Sequence, residues 1–199
     1  MIIRMPKAAD AEQIYEHFIR AQVSKQNLDR SAPKRGFYEY HLSYDDIAAR
    51  ARMPFSLVME KSEGRLVGYV LAYSLSYIPE FESKEDSIHN SLKAFDKNAV
   101  YIDQLFLHPD YPLTLAARLS DAWEHMIRGE KVPGVICAIP EEPWLNQSST
   151  RLVLARGFSR KTKVESEGVT LRLFAKPYLP LNNSFEGFGD DLILDNKNY

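Results

Sequence analysis

Apolar positions change their period in a regular order along the chain. Residues 2–5 (Ile-Ile-Arg-Met) read as a short strand ended by Pro6. Ala11, Ile14, Phe18 and Ala21 then recur at three- and four-residue steps, which predicts a helix, with Asp10 and Gln13 spaced as a capping box. Ser43 is placed to cap a short helix over 44–52. FSLVMEK (55–61) and RLVGYVLAYSL (65–75) read as two strands joined at Ser62-Glu63-Gly64. AVYIDQLFL (99–107) and GVICAIP (134–140) are nearly continuous apolar runs, the pattern of strands in the middle of a sheet. Between them lies a helix over 113–128, with Leu115, Leu119, Ala122 and Met126 on one face. A short helix over 146–156, closed by Gly157, leads into a hairpin of FSRKTKVE and VTLRLFAK turning at Glu167-Gly168.

Two polar stretches interrupt this order. Residues 25–42 are polar and aromatic and are broken by Pro33 and Gly36; residues 77–98 form a charged insertion with room for a short helix near 85–95. The last segment, 182–199, mixes Glu186, Asp190, Asp191 and Asp195 with Phe185, Phe188, Leu192, Ile193 and Leu194. It reads as a frayed terminus or as an arm that docks on the body or on a partner chain. The expected division is therefore a domain over 1–180 and an acidic tail over 181–199.

Composition narrows the function. The chain has 199 residues, is 45% hydrophobic, and carries 25 basic against 27 acidic residues for a net charge of −2. That balance argues against a nucleic-acid partner. One cysteine, Cys137, leaves no internal disulfide to form and suits a reducing compartment. The opening MIIRMPKAADAE has no apolar run of leader length, and no stretch approaches ~18 apolar residues. The expectation is a cytoplasmic protein that does not engage a membrane. His17, His41, His89, His108 and His125 are scattered without ligand spacing, so no metal site is expected.

The element order, with the residues on it, resembles the GNAT superfamily of acyl-CoA N-acyltransferases over about residues 1–180. IRMPKAADAEQIYEHF is similar to the family's opening strand and helix, GRLVGYVLAY to its third strand, and VYIDQLFLHPDY to its fourth strand running into the cofactor loop. A late motif of Asn, a small residue, Tyr and Gly-Phe corresponds to Asn146, Ser149, Val153 and Gly157-Phe158. The resemblance implies an α/β (α+β) fold. Its mixed, mostly antiparallel sheet would have about seven strands, helices on both faces, and a splay between the fourth and fifth strands.

The resemblance also implies a mechanism. The pantetheine arm of acetyl-CoA or another acyl-CoA would lie in the splay, against the backbone of Leu105, Phe106 and Leu107. The pyrophosphate would sit on the helix start formed by Leu113, Thr114, Leu115, Ala116, Ala117 and Arg118. Asn146 and Ser149 would hold the arm, or serve as an ordinary helix start. Asp103, an acid inside an apolar strand, is either the base or a buried acid satisfied by backbone N–H groups or by a basic neighbour. Strict alternation puts it on one face with Tyr101, Leu105 and Leu107.

Two departures from the family pattern stand out. The pyrophosphate pattern Gln/Arg-x-x-Gly-x-Gly/Ala falls on Pro112 to Ala117, where only Ala117 fits, and the 60 residues from 69 to 128 contain no glycine. Val153 stands where the family often has a proton-donating Tyr, with Tyr73, Tyr101 and Tyr111 as substitutes. The acceptor, a small-molecule or peptide amine, would enter past Phe37, Tyr38, Tyr40, Tyr77 and Trp144, near Glu141 and Glu142. Two functions follow: an N-acyltransferase, compatible with a homodimer, or a GNAT-fold binding or assembly module that has lost normal CoA binding.

Overall fold

Seven strands build one sheet: β1 (Ile2–Arg4), β2 (Leu57–Glu60), β3 (Leu66–Ser74), β4 (Val100–Leu107), β5 (Gly134–Glu142), β6 (Ser159–Ser166) and β7 (Val169–Pro177). Their order is β1-β2-β3-β4-β5-β7-β6. All neighbours are antiparallel except β4 and β5, which run parallel. The α-helices among the described residues are α1 (Asp10–Ala21), α2 (Tyr44–Ala51), α3 (Ser87–Leu92), α4 (Thr114–Gly129) and α5 (Gln147–Ala155). This computed structural model describes residues 1–22, 42–62, 64–78, 87–142, 145–166 and 168–178. The tail and most of the 25–42 stretch lie outside them. No helix among the described residues is long and apolar enough to cross a membrane.

Alternation along β3 sorts the core onto the two faces of the sheet. Val70 and Ala72 pack with Leu119, Trp123 and Ile127 of α4, and with Val153 of α5 at the margin. Tyr69 and Leu71 pack with Ile14 and Phe18 of α1 and Ile47 of α2. Tyr73 continues that second face into a cluster with Leu92 and Phe95, which α3 closes. The α/β architecture with helices on both faces is thus as expected. Burying side chains of this size contributes about 1.5–3 kcal/mol each.

Local chemistry corrects two sequence expectations. Asp10 does not cap α1; the preceding residue is Ala9, which makes no side-chain cap bond. The Asp10 carboxylate turns back to the Lys7 N–H at 2.6 Å and to the Arg4 guanidinium at 2.6 Å. Gln13 is drawn away as well, donating to Gly64 O and accepting from the Leu66 N–H. Ser43 does cap α2, in a full box with Asp46. The buried stripe of α4 is Ala116, Leu119, Trp123 and Ile127, and Leu115 and Met126 flank it. Trp123 shifts the stripe because its indole N–H reaches Phe55 O at 2.7 Å.

Candidate functional site

Pairing between β4 and β5 stops early. Val100, Tyr101 and Ile102 align with Val135, Ile136 and Cys137, and beyond that the strands part, while β5 stays paired with β7 out to Glu142. The far half of β4, Asp103 to Leu107, therefore has β3 on one side and, among the described residues, no strand on the other. The His108 N–H donates to Val67 O at 2.8 Å on the β3 side. Because antiparallel pairs exchange bonds at alternate residues, Gln104 and Phe106 also turn their N–H groups toward β3. Leu105 and Leu107 turn theirs into the gap. This is the splay expected between the fourth and fifth strands.

A bulge sets the side chains around that gap. Gln104 lies opposite Leu71 and Ile102 opposite Ala72, so Asp103 is an extra residue on β4. The inserted residue breaks strict alternation. Ile102 and Leu105 pack on the α4 face, while Phe106 stacks on Tyr69 on the α1 and α2 face. Of the residues expected on one face with Asp103, Tyr101 does share its side, with Tyr73, whereas Leu105 and Leu107 fall on the α4 face beyond the bulge. Asp103 turns toward α2, where its carboxylate accepts from Arg50 Nε at 2.9 Å; the two side chains are 5% and 1% exposed. A basic neighbour was one of the alternatives open for Asp103. Arg50 itself went unnoticed, although its place beside Ile47 and Ala51 on the inward face of α2 was a readable signal.

Two further polar groups were missed on that face. Gln104 is 1% exposed, and neither end of its amide has a hydrogen-bond partner among the described residues. His17 on α1 is buried, with Nε2 bonded to Leu66 O at 3.1 Å and Nδ1 unpartnered. Burial, reinforced by the neighbouring His108, holds its pKa below the ordinary 6.5 and outweighs the bond to Leu66 O, which acts in the opposite direction. His17 also stacks on Phe106 and meets the His108 ring edge-on.

On the α4 face a small cavity of about 30 Å³ lies between Ile102, Leu105, Trp123, Leu152, Val153 and Phe158. Its lining is mostly apolar and includes Val153, together with the polar residues Ser120, Glu124 and Arg156. Arg156 spans the seam between α5 and α4, donating to Ala117 O at 2.8 Å and pairing with Asp121. A roomier cavity of about 310 Å³, lined by Lys7, Tyr44 and Arg52, lies between α1 and α2 and touches none of these residues.

The loop from β4 to α4 uses most of its own donors. The N–H groups of His108, Asp110, Tyr111 and Leu115 bond Val67 O, His108 Nδ1, His108 O and Pro112 O. Pro109 and Pro112 have no N–H. Ala117 donates to Leu113 O. Leu113, Thr114 and Ala116 keep unclaimed N–H groups among the described residues. Leu113 is 74% exposed, and Thr114 and Arg118 are exposed beside it. The free edge of β4 fits a pantetheine arm. The helix start, without glycine and with three open donors, does not fit a nucleotide diphosphate well.

Asn146 and Ser149 stand at the start of α5. The Asn146 side chain accepts from the Ser149 N–H at 3.2 Å, and the Asn146 backbone N–H donates to Pro140 O at 3.0 Å, which ties the helix to β5. The capping alternative thus describes the bonds made here. Glu141 and Glu142 are not free for a cationic amine. Glu141 pairs with Arg172 and Lys163, and Glu142 with Lys163. Burial pushes the Glu141 carboxyl upward, but the Arg172 and Lys163 contacts outweigh it and hold the pKa below the usual carboxylate range. Phe37, Tyr38, Tyr40 and Trp144 lie outside the described residues. Cys137 is an inert thiol, pushed by burial up to about 12. Among the described residues no His, Cys, Asp and Glu groups gather as a metal site.

No protein-family model and no curated protein matches the sequence. Solved structures of GNAT-family acetyltransferases do match its fold. Ard1 from Thermoplasma volcanium aligns at a TM-score of 0.61 and 13% identity, over 90% of this chain and 98% of that one. A GNAT acetyltransferase from Listeria monocytogenes aligns at 0.59 and 16% identity, over 89% and 94%. A polyamine N-acetyltransferase from Drosophila melanogaster, which forms N-acetylagmatine, aligns at 0.55 and 15% identity, over 89% and 99%. At such identities the likeness concerns architecture: the chain has the GNAT fold that its motifs resemble.

Proposed function

We propose that the chain is an N-acyltransferase. It moves an acetyl or other acyl group from a pantetheine thioester, such as acetyl-CoA or another acyl-CoA, to a primary amine of a small molecule or peptide. The observation that carries this reading is the end of β4–β5 pairing after Ile102 and Cys137. The small cavity holds little more than one water. The donor arm therefore lies along the β4 edge, bonded by the N–H groups of Leu105 and Leu107. An N–H aimed at the developing oxyanion contributes about 2.7–4 kcal/mol to lowering the barrier. Asp103, oriented by Arg50, takes the proton of the acceptor ammonium directly or through water. The freed nitrogen attacks the carbonyl carbon, the C–S bond breaks, and the thiolate departs without help from Val153, taking the second proton that the nitrogen sheds as the amide forms.

Thermal stability tests the reading first. Acetyl-CoA at 100 times its dissociation constant adds about 2.7 kcal/mol of stability. No shift in melting temperature at millimolar acetyl-CoA removes the acyltransferase reading. Asp103→Asn then lowers turnover by about 100-fold or more while leaving that shift in place. Because this variant removes the Asp103 charge from beside the buried Arg50, Asp103→Asn combined with Arg50→Gln serves as the folding control. Turnover equal to the parent takes Asp103 out of the chemistry.

A second reading has its own support. The self-bonded loop and the Arg156 bridge between α4 and α5 favour a GNAT-fold binding or assembly module without acyl transfer. The same melting experiment separates the two.

A further inference from the structure

We propose that the acyl donor is a thioester on the phosphopantetheine arm of an acidic carrier protein, and that recognition of the arm ends at its phosphate. The inference rests on the acyl-transfer reading and specifies its donor. The open edge of β4 suits an extended arm. Beyond it, the helix start leaves the N–H groups of Leu113, Thr114 and Ala116, enough for one phosphate. A second phosphate and a nucleotide would have to pass Leu113 and Leu115, where no glycine lets backbone approach.

The rim of the slot suits a protein partner. α4 and α5 follow the ends of the parallel strands β4 and β5, so their first turns border the same mouth. Neither helix has an acid in its first turn. Arg118 and Arg151, one turn into each helix, are exposed and make no ion pair among the described residues. Glu141, Glu142 and Asp121 are already neutralised by Arg172, Lys163 and Arg156, and Asp110 is the one exposed acid of the loop, set against His108. Leu113 at 74% exposure and Leu145 at 36% lie just before the first turns of these two helices. Open cations interleaved with leucines complement an acidic amphipathic helix. In the transfer itself the amine nitrogen bonds the carbonyl carbon, the C–S bond breaks, and the arm leaves on the carrier as a thiol with the amine's proton.

Calorimetric titration of the full chain tests this. CoA and 4′-phosphopantetheine should bind with constants within about threefold of each other. CoA binding about tenfold tighter or more overturns the inference and leaves the acyl-transfer reading standing; binding of neither at millimolar concentration overturns both. A holo acyl carrier protein should bind about tenfold tighter than the free arm. Arg151→Glu should remove most of that gain without changing phosphopantetheine affinity. Equal affinity for carrier and free arm, or a gain that Arg151→Glu leaves intact, overturns the proposal.

Discussion

Gly68 on β3 shows how single atoms decide this fold. A Cβ there would come within 2.8 Å of Phe106 O on β4, and within 3.3 and 3.4 Å of the Leu107 and Leu119 side chains. The nearest obstacle is backbone, which cannot swing aside. Gly68→Ala should therefore cost about 1–3 kcal/mol, and melting should fall by ~3 °C per kcal/mol. An unchanged melting temperature would mean that β3 and β4 separate easily. The opposite case is the Asp103 and Arg50 pair. Its charges are buried together, so Arg50→Ala takes this partner from a buried carboxylate and should destabilise by about 3–5 kcal/mol. Stability within about 1 kcal/mol of the parent would show that water reaches Asp103 freely.

Elements were legible where periodicity was strong. The alternation of β3 and the apolar runs of β4 and β5 announce their places in the sheet, and Gly157, at a φ of 79°, ends α5 as its position suggests. What stayed hidden depends on partners distant in the chain. Asp10 looked like a cap until Arg4 and Glu60 drew it and its neighbourhood into an ion-pair cluster. The Asp103 bulge needs the register of β3, which no spacing within β4 reveals. The splay was inferred by likeness, whereas the bonds that occupy the loop's own donors and leave only those of Leu113, Thr114 and Ala116 open arise from two prolines and a histidine in close succession. Ser43, whose box with Asp46 was half foreseen, offers a clean test. Ser43→Ala should cost about 1 kcal/mol, measured by denaturant unfolding. Loss below about 0.3 kcal/mol would mean that packing of Ile47 alone holds α2.

For the molecule as a whole, acid is the natural stress. His17 is held neutral by burial, so as pH falls through about 6.5 the unfolded chain gains a proton that the folded chain resists. Stability from this group is complete above that pH and declines below it. Asp10 adds a second loss: Arg4 and the Lys7 N–H keep its carboxyl below 3.8 despite burial, and that stabilisation disappears as it protonates. Melting temperature should thus drop in two stages, one between about pH 7 and 5 and another below about 4. His17→Gln should flatten the first and spare the second. A single acid transition unaffected by that change would place the sensitivity elsewhere. The sheet meanwhile is two rafts, β1 to β4 and β5 to β6, lashed by three rungs near one end. Thermal breathing concentrates at that lashing, and any guest strung along the open side acts as a fourth rope, tightening both rafts and slowing amide exchange far from where it sits.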